Sequence, residues 1–116
     1  MDIESLRNFC ITLPCVTEDI KWDNDLCFCI GGKMFCIASL DPPFKLAIKV
    51  EKEKFAELIQ ISGISPAPYL ARYNWVSIQM DAHLGQQEQL ELVKKSYQLV
   101  WEKLGKQARM KVENAS

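Results

Sequence analysis

Residues 26–39 constrain the fold more than any other part of the chain. They read LCFCIGGKMFCIAS, two runs of alternating side chains joined by Gly31 and Gly32. Two consecutive glycines supply the positive φ angles of a two-residue turn, so the segment is predicted to be an antiparallel hairpin. Closing the turn on the glycines places Ile30 opposite Lys33, Cys29 opposite Met34, Phe28 opposite Phe35 and Cys27 opposite Cys36. Sulfur atoms then gather on one face of the hairpin and aromatic rings on the other.

Length and composition indicate one globular domain. The chain has 116 residues, of which 48% are hydrophobic and 25% charged, and no stretch approaches the ~20 apolar residues of a membrane span. The first residues, MDIESLRNF, lack the basic segment and apolar run of a secretory leader. We therefore expect a cytoplasmic protein with no membrane association, a single domain over residues 1–105 and a polar, frayed tail over residues 106–116.

Cysteine content and net charge argue against a disulfide-stabilised fold and against a generally basic binding surface. The five cysteines form no CxxC pair, and an odd number in a reducing compartment argues against a disulfide framework. The net charge of -1 gives no general attraction to nucleic acid or anionic lipid. Any basic binding site must therefore be local.

The N-terminal half outside the hairpin contains a helix, a loop and a strand. Asp2 is placed to cap a first helix that Pro14 ends, and residues 14–25 are predicted to be a connecting loop. After the DPP turn, residues 45–50 alternate strictly and predict a third strand.

The C-terminal half adds two helices and two extended segments. A short helix is predicted over residues 51–60, and a long amphipathic helix over residues 86–104. Pro66 and Pro68 restrict the segment around them to a sheet edge, whereas residues 75–80 alternate as a strand.

This order, α-β-β-β-α-β-β-α, predicts an α+β two-layer sandwich with helices on one face of an antiparallel sheet. The predicted core consists of Leu6, Leu26, Phe28, Ile30, Phe35, Ile37, Leu46, Ile48, Val50, Phe55, Leu58, Val76, Ile78, Val93, Tyr97 and Trp101. The opposite, open face is predicted to collect Cys27, Cys29, Met34, Cys36, Lys45, Lys49 and Trp75. Soft sulfur, two lysines and a tryptophan make this face a candidate binding surface.

The chain also resembles the MmcQ/YjbR-like proteins over nearly its whole length. The resemblance is carried by Pro14, GGKMF at residues 31–35, KLAIKV at residues 45–50, PAPY at residues 66–69, Trp75 and Ser96-Tyr97. It implies a small α+β fold of the secretion-chaperone-like type in a bacterial-type family, formerly described as a domain of unknown function. Members are commonly labelled DNA-binding, so the resemblance also implies a DNA-binding role.

Nucleic-acid binding would need a local positive stripe with aromatic rings for base stacking. The residues that could supply it are Lys21, Trp22, Lys33, Lys45, Lys49, Arg72 and Trp75. Lysines on exposed strand positions also keep sheet edges from aggregating, so the same residues fit a purely solvated face.

The alternative is a protein-interaction or homodimerisation surface on the same open sheet face, without nucleic acid. Its candidate residues are Cys27, Cys29, Met34, Cys36, Ala47 and Trp75. Methionine and aromatic side chains are typical of such contact surfaces, but a loop or the tail could also cover the face within the monomer.

Neither metal binding nor catalysis finds a matching pattern. Cys27, Cys29 and Cys36 lack common zinc spacing, and the sole histidine is His83. The adjacent Glu18 and Asp19 fit a solvated turn, and no nucleophile can be paired with a base. We expect no catalytic residues, no metal and no cofactor, and predict a non-enzymatic binding protein.

Overall fold

A computed structural model of the protein describes residues 1–22 and 24–115. Six antiparallel strands form one sheet in the order β1-β2-β3-β4-β6-β5. The strands are β1 (Thr17–Lys21), β2 (Asp25–Ile30), β3 (Lys33–Ser39), β4 (Lys45–Lys49), β5 (Ile64–Pro66) and β6 (Trp75–Gln79). The helices are α1 (Ile3–Cys10), α2 (Lys52–Leu58), α3 (Gln86–Glu102) and α4 (Lys106–Ala115), with a short 3-10 turn at Ala71–Tyr73. The predicted α+β class and antiparallel sheet are confirmed.

The helices cover one face of the sheet. Helix α3 lies across β2, β3 and β4, and α2 contacts β5 and β6. Apolar side chains of that sheet face join helix residues such as Leu6, Leu58 and Val93 in one buried cluster. Asp2 caps α1 as predicted, since its Oδ1 accepts a hydrogen bond from the Ser5 N–H at 2.8 Å. No described helix is long and apolar enough to cross a membrane.

The glycine turn of the hairpin is confirmed, with φ angles of 59° at Gly31 and 79° at Gly32. Ile30 pairs with Lys33 as predicted, but the register changes between Cys29 and Phe28. Phe35 is the extra residue of a β-bulge, because one step along β2 corresponds to two steps along β3 at this point. The bulge changes which side chains of β3 face the helices.

Two predicted pairs are therefore wrong: Phe28 lies opposite Cys36, and Cys27 lies opposite Ile37. The extra residue inverts the alternation of β3, so Cys36 is fully buried with Phe28 in the helix-covered core. Ile37, a predicted core residue, lies on the open face instead. The apolar pattern could not exclude either register, because five consecutive residues of β2 are buried and both of its faces are apolar.

Two segments predicted to be irregular are regular. Residues 14–25 contain edge strand β1, which is exposed along most of its length and so lacks an apolar signal. Residues 106–115, predicted to be a frayed tail, form α4, whose Ala108 and Val112 pack against the core cluster. Asp23 of the predicted loop and Ser116 of the predicted tail lie outside the described residues.

Candidate functional site

The open face of the sheet presents two rows of side chains that cross the central strands. The inner row consists of Cys27, Ile37, Ala47 and Ser77, which are successive partners on β2, β3, β4 and β6. A second row, here called the charged row, lies two residues further along each strand from the inner row. It contains Lys21, Asp25 and Lys45. The inner row is small or apolar, and the charged row carries both signs.

A groove of about 490 Å³ lies over these rows except at Cys27 and Lys21, which do not line it. Met34, Ile37, Ala47 and Ser77 line it from the sheet, and residues 67–70 line it from the β5–β6 connection. Small side chains at Ala47 and Ser77 leave depth over the middle strands. Its size and apolar lining are those of a pocket for a small ligand or one or two side chains of a partner.

Two aromatic residues from opposite edges of the sheet line the groove. Trp22 follows edge strand β1 and is 64% exposed, and Tyr69 follows edge strand β5 and is 97% exposed. Both have positive φ angles, 51° and 65°, a backbone region that is strained for bulky side chains. The fold therefore holds two large rings in solvent at strained positions, a combination typical of ligand contacts.

Ser77 supplies a hydroxyl in the floor of the groove. Ser77 is 7% exposed, and no group among residues 1–22 and 24–115 forms a hydrogen bond with its side chain. Every fully enclosed side-chain oxygen in that part of the chain has a hydrogen-bond partner. The Ser77 oxygen has none there, so it is not fully enclosed and remains accessible from the groove that Ser77 lines. A hydroxyl in this position can donate to or accept from a bound ligand.

Asp25 and Lys45 place opposite charges at one end of the groove. Within the described part of the chain, neither side chain takes part in an ion pair. They lie on β2 and β4, with Ser39 of β3 between them. The groove thus offers an apolar floor with a carboxylate and an ammonium at one end.

The other basic residues of the predicted nucleic-acid set do not line the groove. Lys33 is exposed near the hairpin turn, and Lys49 donates to the Tyr73 carbonyl at 3.3 Å. Burial, followed by the nearby Lys103 ammonium, lowers the pKa of Lys49. Arg72 lies over the Tyr73 ring, 4.9 Å from its centre. Lys21 lies opposite Asp25, and only Trp22 and Lys45 of the predicted nucleic-acid set line the groove.

Trp75 and the cysteines are less accessible than the sequence predicted. Trp75 is only 5% exposed, so its ring is no open stacking surface. Cys27 is fully buried and Cys29 nearly so, and burial, with Cys29 beside it, raises the pKa of the Cys27 thiol to about 11. Among the predicted partner-face residues, Met34 and Ala47 line the groove.

Cys36 belongs to the opposite side of the sheet. Its contact with Cys10 of α1, together with burial, raises the pKa of its thiol. The three thiols therefore do not converge on one face as predicted. Among residues 1–22 and 24–115, no group of three or more His, Cys, Asp or Glu side chains is arranged to hold a metal ion.

Sequence reasoning missed Tyr69, Ser77 and Asp25 as groove residues. Tyr69 follows two prolines, and only its positive φ distinguishes it from an ordinary loop tyrosine. Ser77 has a small polar side chain on the outward phase of an otherwise apolar strand, which was the one available signal.

Ser96 and Tyr97 contribute to the fold, not to the groove. The Ser96 hydroxyl is buried between β3 and β4, and the Tyr97 hydroxyl donates to the Pro14 carbonyl at 2.7 Å. The Tyr97 ring packs edge-on against Phe35, with centroids 5.3 Å apart. These contacts join Pro14, the hairpin and Ser96-Tyr97 within the fold.

Comparisons with known proteins agree with this architecture. The YjbR family profile matches residues 11–99. The crystal structure of Deinococcus radiodurans protein DR2400, which has a DUF419 domain, superposes with a TM-score of 0.84 at 28% identity, covering 96% of this chain and 87% of that chain. A Pseudomonas syringae protein, a structural genomics target, shares the fold with a TM-score of 0.72 at 18% identity, covering 85% of this chain and 98% of that chain. No curated protein matches the chain.

Proposed function

The chain belongs to the YjbR family, and on that premise we propose that it is a non-enzymatic protein-interaction module whose groove binds an extended segment of a partner polypeptide. The observation that carries the proposal is the pair Trp22 and Tyr69, two exposed rings at positive φ on either side of an apolar floor. Aromatic anchors beside apolar recesses are typical of protein-interaction sites.

The charge distribution favours a polypeptide over a phosphate backbone. Asp25 lines the same groove as Lys45, and its carboxylate would repel a phosphate bound nearby. Lys49 and Arg72 are both engaged with Tyr73 and neither lines the groove, so Lys45 is the one basic side chain among the described groove residues. A neutral peptide backbone with one apolar side chain has no such conflict.

The proposal can be tested with the smallest polypeptide fragments, N-acetylphenylalanine amide and N-acetylleucine amide, titrated into isotope-labelled protein. Ligands of this size reach roughly millimolar affinity in a suitable pocket. We expect the phenylalanine fragment to shift the backbone amide resonances of Ile37, Ala47 and Ser77, and the leucine fragment to bind more weakly because it cannot stack on the rings.

Two substitutions test whether the Trp22 and Tyr69 rings contact the bound fragment. Trp22→Asn and Tyr69→Asn remove one ring each, and asparagine tolerates a positive φ, so the fold is expected to persist. Each is expected to weaken the phenylalanine fragment by about three- to tenfold. Tyr73→Asn is the matched control, because Tyr73 is an exposed aromatic residue that does not line the groove. Unchanged affinity in both groove variants would contradict the proposal.

Single-stranded nucleic acid is the second candidate, and the same exposed rings with Lys45 favour it, since bases stack on aromatic faces. The test is the binding of a fluorescent oligothymidylate at increasing salt. Nucleic-acid binding in the groove predicts an affinity that falls steeply with salt and a shallower slope in Lys45→Gln, whereas Lys33→Gln, outside the groove, is expected to keep the slope. Absence of binding at low salt would exclude this candidate and leave the polypeptide proposal unaffected.

A further inference from the structure

The groove floor carries a feature that an apolar binding site does not need. Ser77 lies between Ala47 of β4 and the exposed Ser65 of β5, yet its hydroxyl has no hydrogen-bond partner among residues 1–22 and 24–115 and remains open to the groove. A ligand that filled the groove with a purely hydrocarbon ring would cover this hydroxyl and leave it unsatisfied, which is unfavourable.

We propose that Ser77 makes the groove selective for a tyrosine side chain of the partner over a phenylalanine. This inference rests on the proposed function. The small Ala47 beside Ser77 leaves room for a ring on the groove floor, and the phenolic hydroxyl at the tip of a tyrosine both donates and accepts, as the Ser77 hydroxyl does. The hydrogen bond forms where water is excluded, so it discriminates between otherwise identical rings.

The surrounding charges define the rest of the ligand. Asp25 and Lys45 lie in the charged row, two residues along their strands from the inner row. Lys45 lies on β4, the strand beside Ser77, whereas Asp25 lies on β2, about 14 Å across the sheet from β6. We infer that the partner sequence carries an acidic residue next to the tyrosine, complementary to Lys45, and a basic residue farther from it, complementary to Asp25.

The experiment compares N-acetyltyrosine amide with N-acetylphenylalanine amide by the same resonance titration. In the unmodified protein the tyrosine fragment is expected to bind about two- to tenfold more tightly. Ser77→Ala is expected to abolish this preference while the phenylalanine fragment keeps its affinity or gains slightly. Ser65→Ala is the matched control, because Ser65 lies opposite Ser77 on β5 but is exposed and does not line the groove; it is expected to preserve the preference.

The outcomes separate the two proposals. Equal affinity of both fragments for the unmodified protein, or a preference that survives in Ser77→Ala, would overturn the assignment to Ser77 and leave the groove as an aromatic site. If neither fragment shifts the groove resonances, the proposed polypeptide-binding function fails as well. A preference that Ser77→Ala removes and Ser65→Ala retains supports the assignment.

Discussion

The Ser96 hydroxyl donates a hydrogen bond of 2.6 Å to the backbone carbonyl of Phe35, the bulge residue of β3. The same oxygen accepts from the Lys49 N–H of β4 at 3.0 Å. Cys36 and Ile48 are the last paired residues of β3 and β4 at this end, so the hydroxyl links the two backbones directly beyond them. Helix α3 is thereby bonded into the sheet at the point where the bulge interrupts regular pairing.

Ser96→Ala is expected to reduce the free energy of unfolding by about 1–3 kcal/mol, because it leaves a backbone donor and a backbone acceptor without their partner. Chemical denaturation monitored by tryptophan fluorescence measures the loss. The control is Ser65→Ala, an exposed serine on β5 that is expected to change stability by less than about 0.5 kcal/mol. Similar stabilities for the two variants would show that water or a shifted strand replaces the Ser96 bridge.

The bulge also marks the limit of what the sequence could predict about the fold. Alternation identified the hairpin and its turn, because Gly31 and Gly32 have a clear conformational role. It could not locate the extra residue, since Cys27 and Phe28 lie on opposite faces of β2 and both are buried. A register is well determined by pattern only where one face is polar.

The groove could be predicted only in part, for a related reason. Strand alternation placed Met34, Lys45 and Ala47 on the open face, and they line the groove. Trp22 was proposed from its chemistry alone. The position of Tyr69 over the groove depends on how the β5–β6 connection folds back over the sheet. That path is set by tertiary contacts, which local residue spacing does not encode.

Gly31 and Gly32 are expected to differ in their tolerance of alanine, although both have positive φ angles. A Cβ atom on Gly31 would lie 2.7 Å from Cδ1 of the buried Leu104, whereas one on Gly32 would meet no atom within 4 Å. Both substitutions carry the left-handed backbone cost of about 1–2 kcal/mol, and Gly31→Ala adds overpacking of about 1 kcal/mol or more. Thermal denaturation of the two variants measures the difference. Equal losses would mean that Leu104 moves aside freely.

Arg109 is expected to hold α4 against the end of α3. Its Nε donates to the Trp101 carbonyl at 3.2 Å, its Nη2 donates to the Glu102 carbonyl, and its guanidinium lies 5.6 Å from the centre of the Trp101 ring. These carbonyls belong to the last turn of α3, which favours a cation.

Arg109→Met keeps an aliphatic stem but removes these contacts, so the amides of α4 are expected to exchange with deuterium roughly tenfold faster. Lys111→Met, an exposed residue of the same helix, is the control and is expected to leave the exchange nearly unchanged. If α4 exchanges at the same rate in both variants, the packing of Val112 and Ala108 and the hydrogen bond from the Cys15 thiol to the Val112 carbonyl hold the helix without Arg109.

Cys27 is expected to make the protein less stable at alkaline pH. Its thiol has a pKa of about 11 in the folded chain against an ordinary value of 9.0, chiefly because it is buried. The unfolded chain therefore loses this proton first, so the stabilising contribution is complete below pH 9 and is lost as pH rises through about 11. Over that interval the free energy of unfolding is expected to fall by about 2 kcal/mol on account of this thiol.

Denaturant titrations across the same pH interval test this prediction. Cys27→Ala removes the titrating group, so its stability is expected to fall less steeply with pH than that of the unmodified protein, although it starts lower because a buried side chain is truncated. Ile37→Val, directly opposite Cys27 on β3, is the matched control, since it trims the same part of the sheet without removing a thiol. It is expected to keep the full pH dependence. Parallel pH profiles for all three proteins would show that the Cys27 thiol ionises equally readily in the folded and unfolded chains.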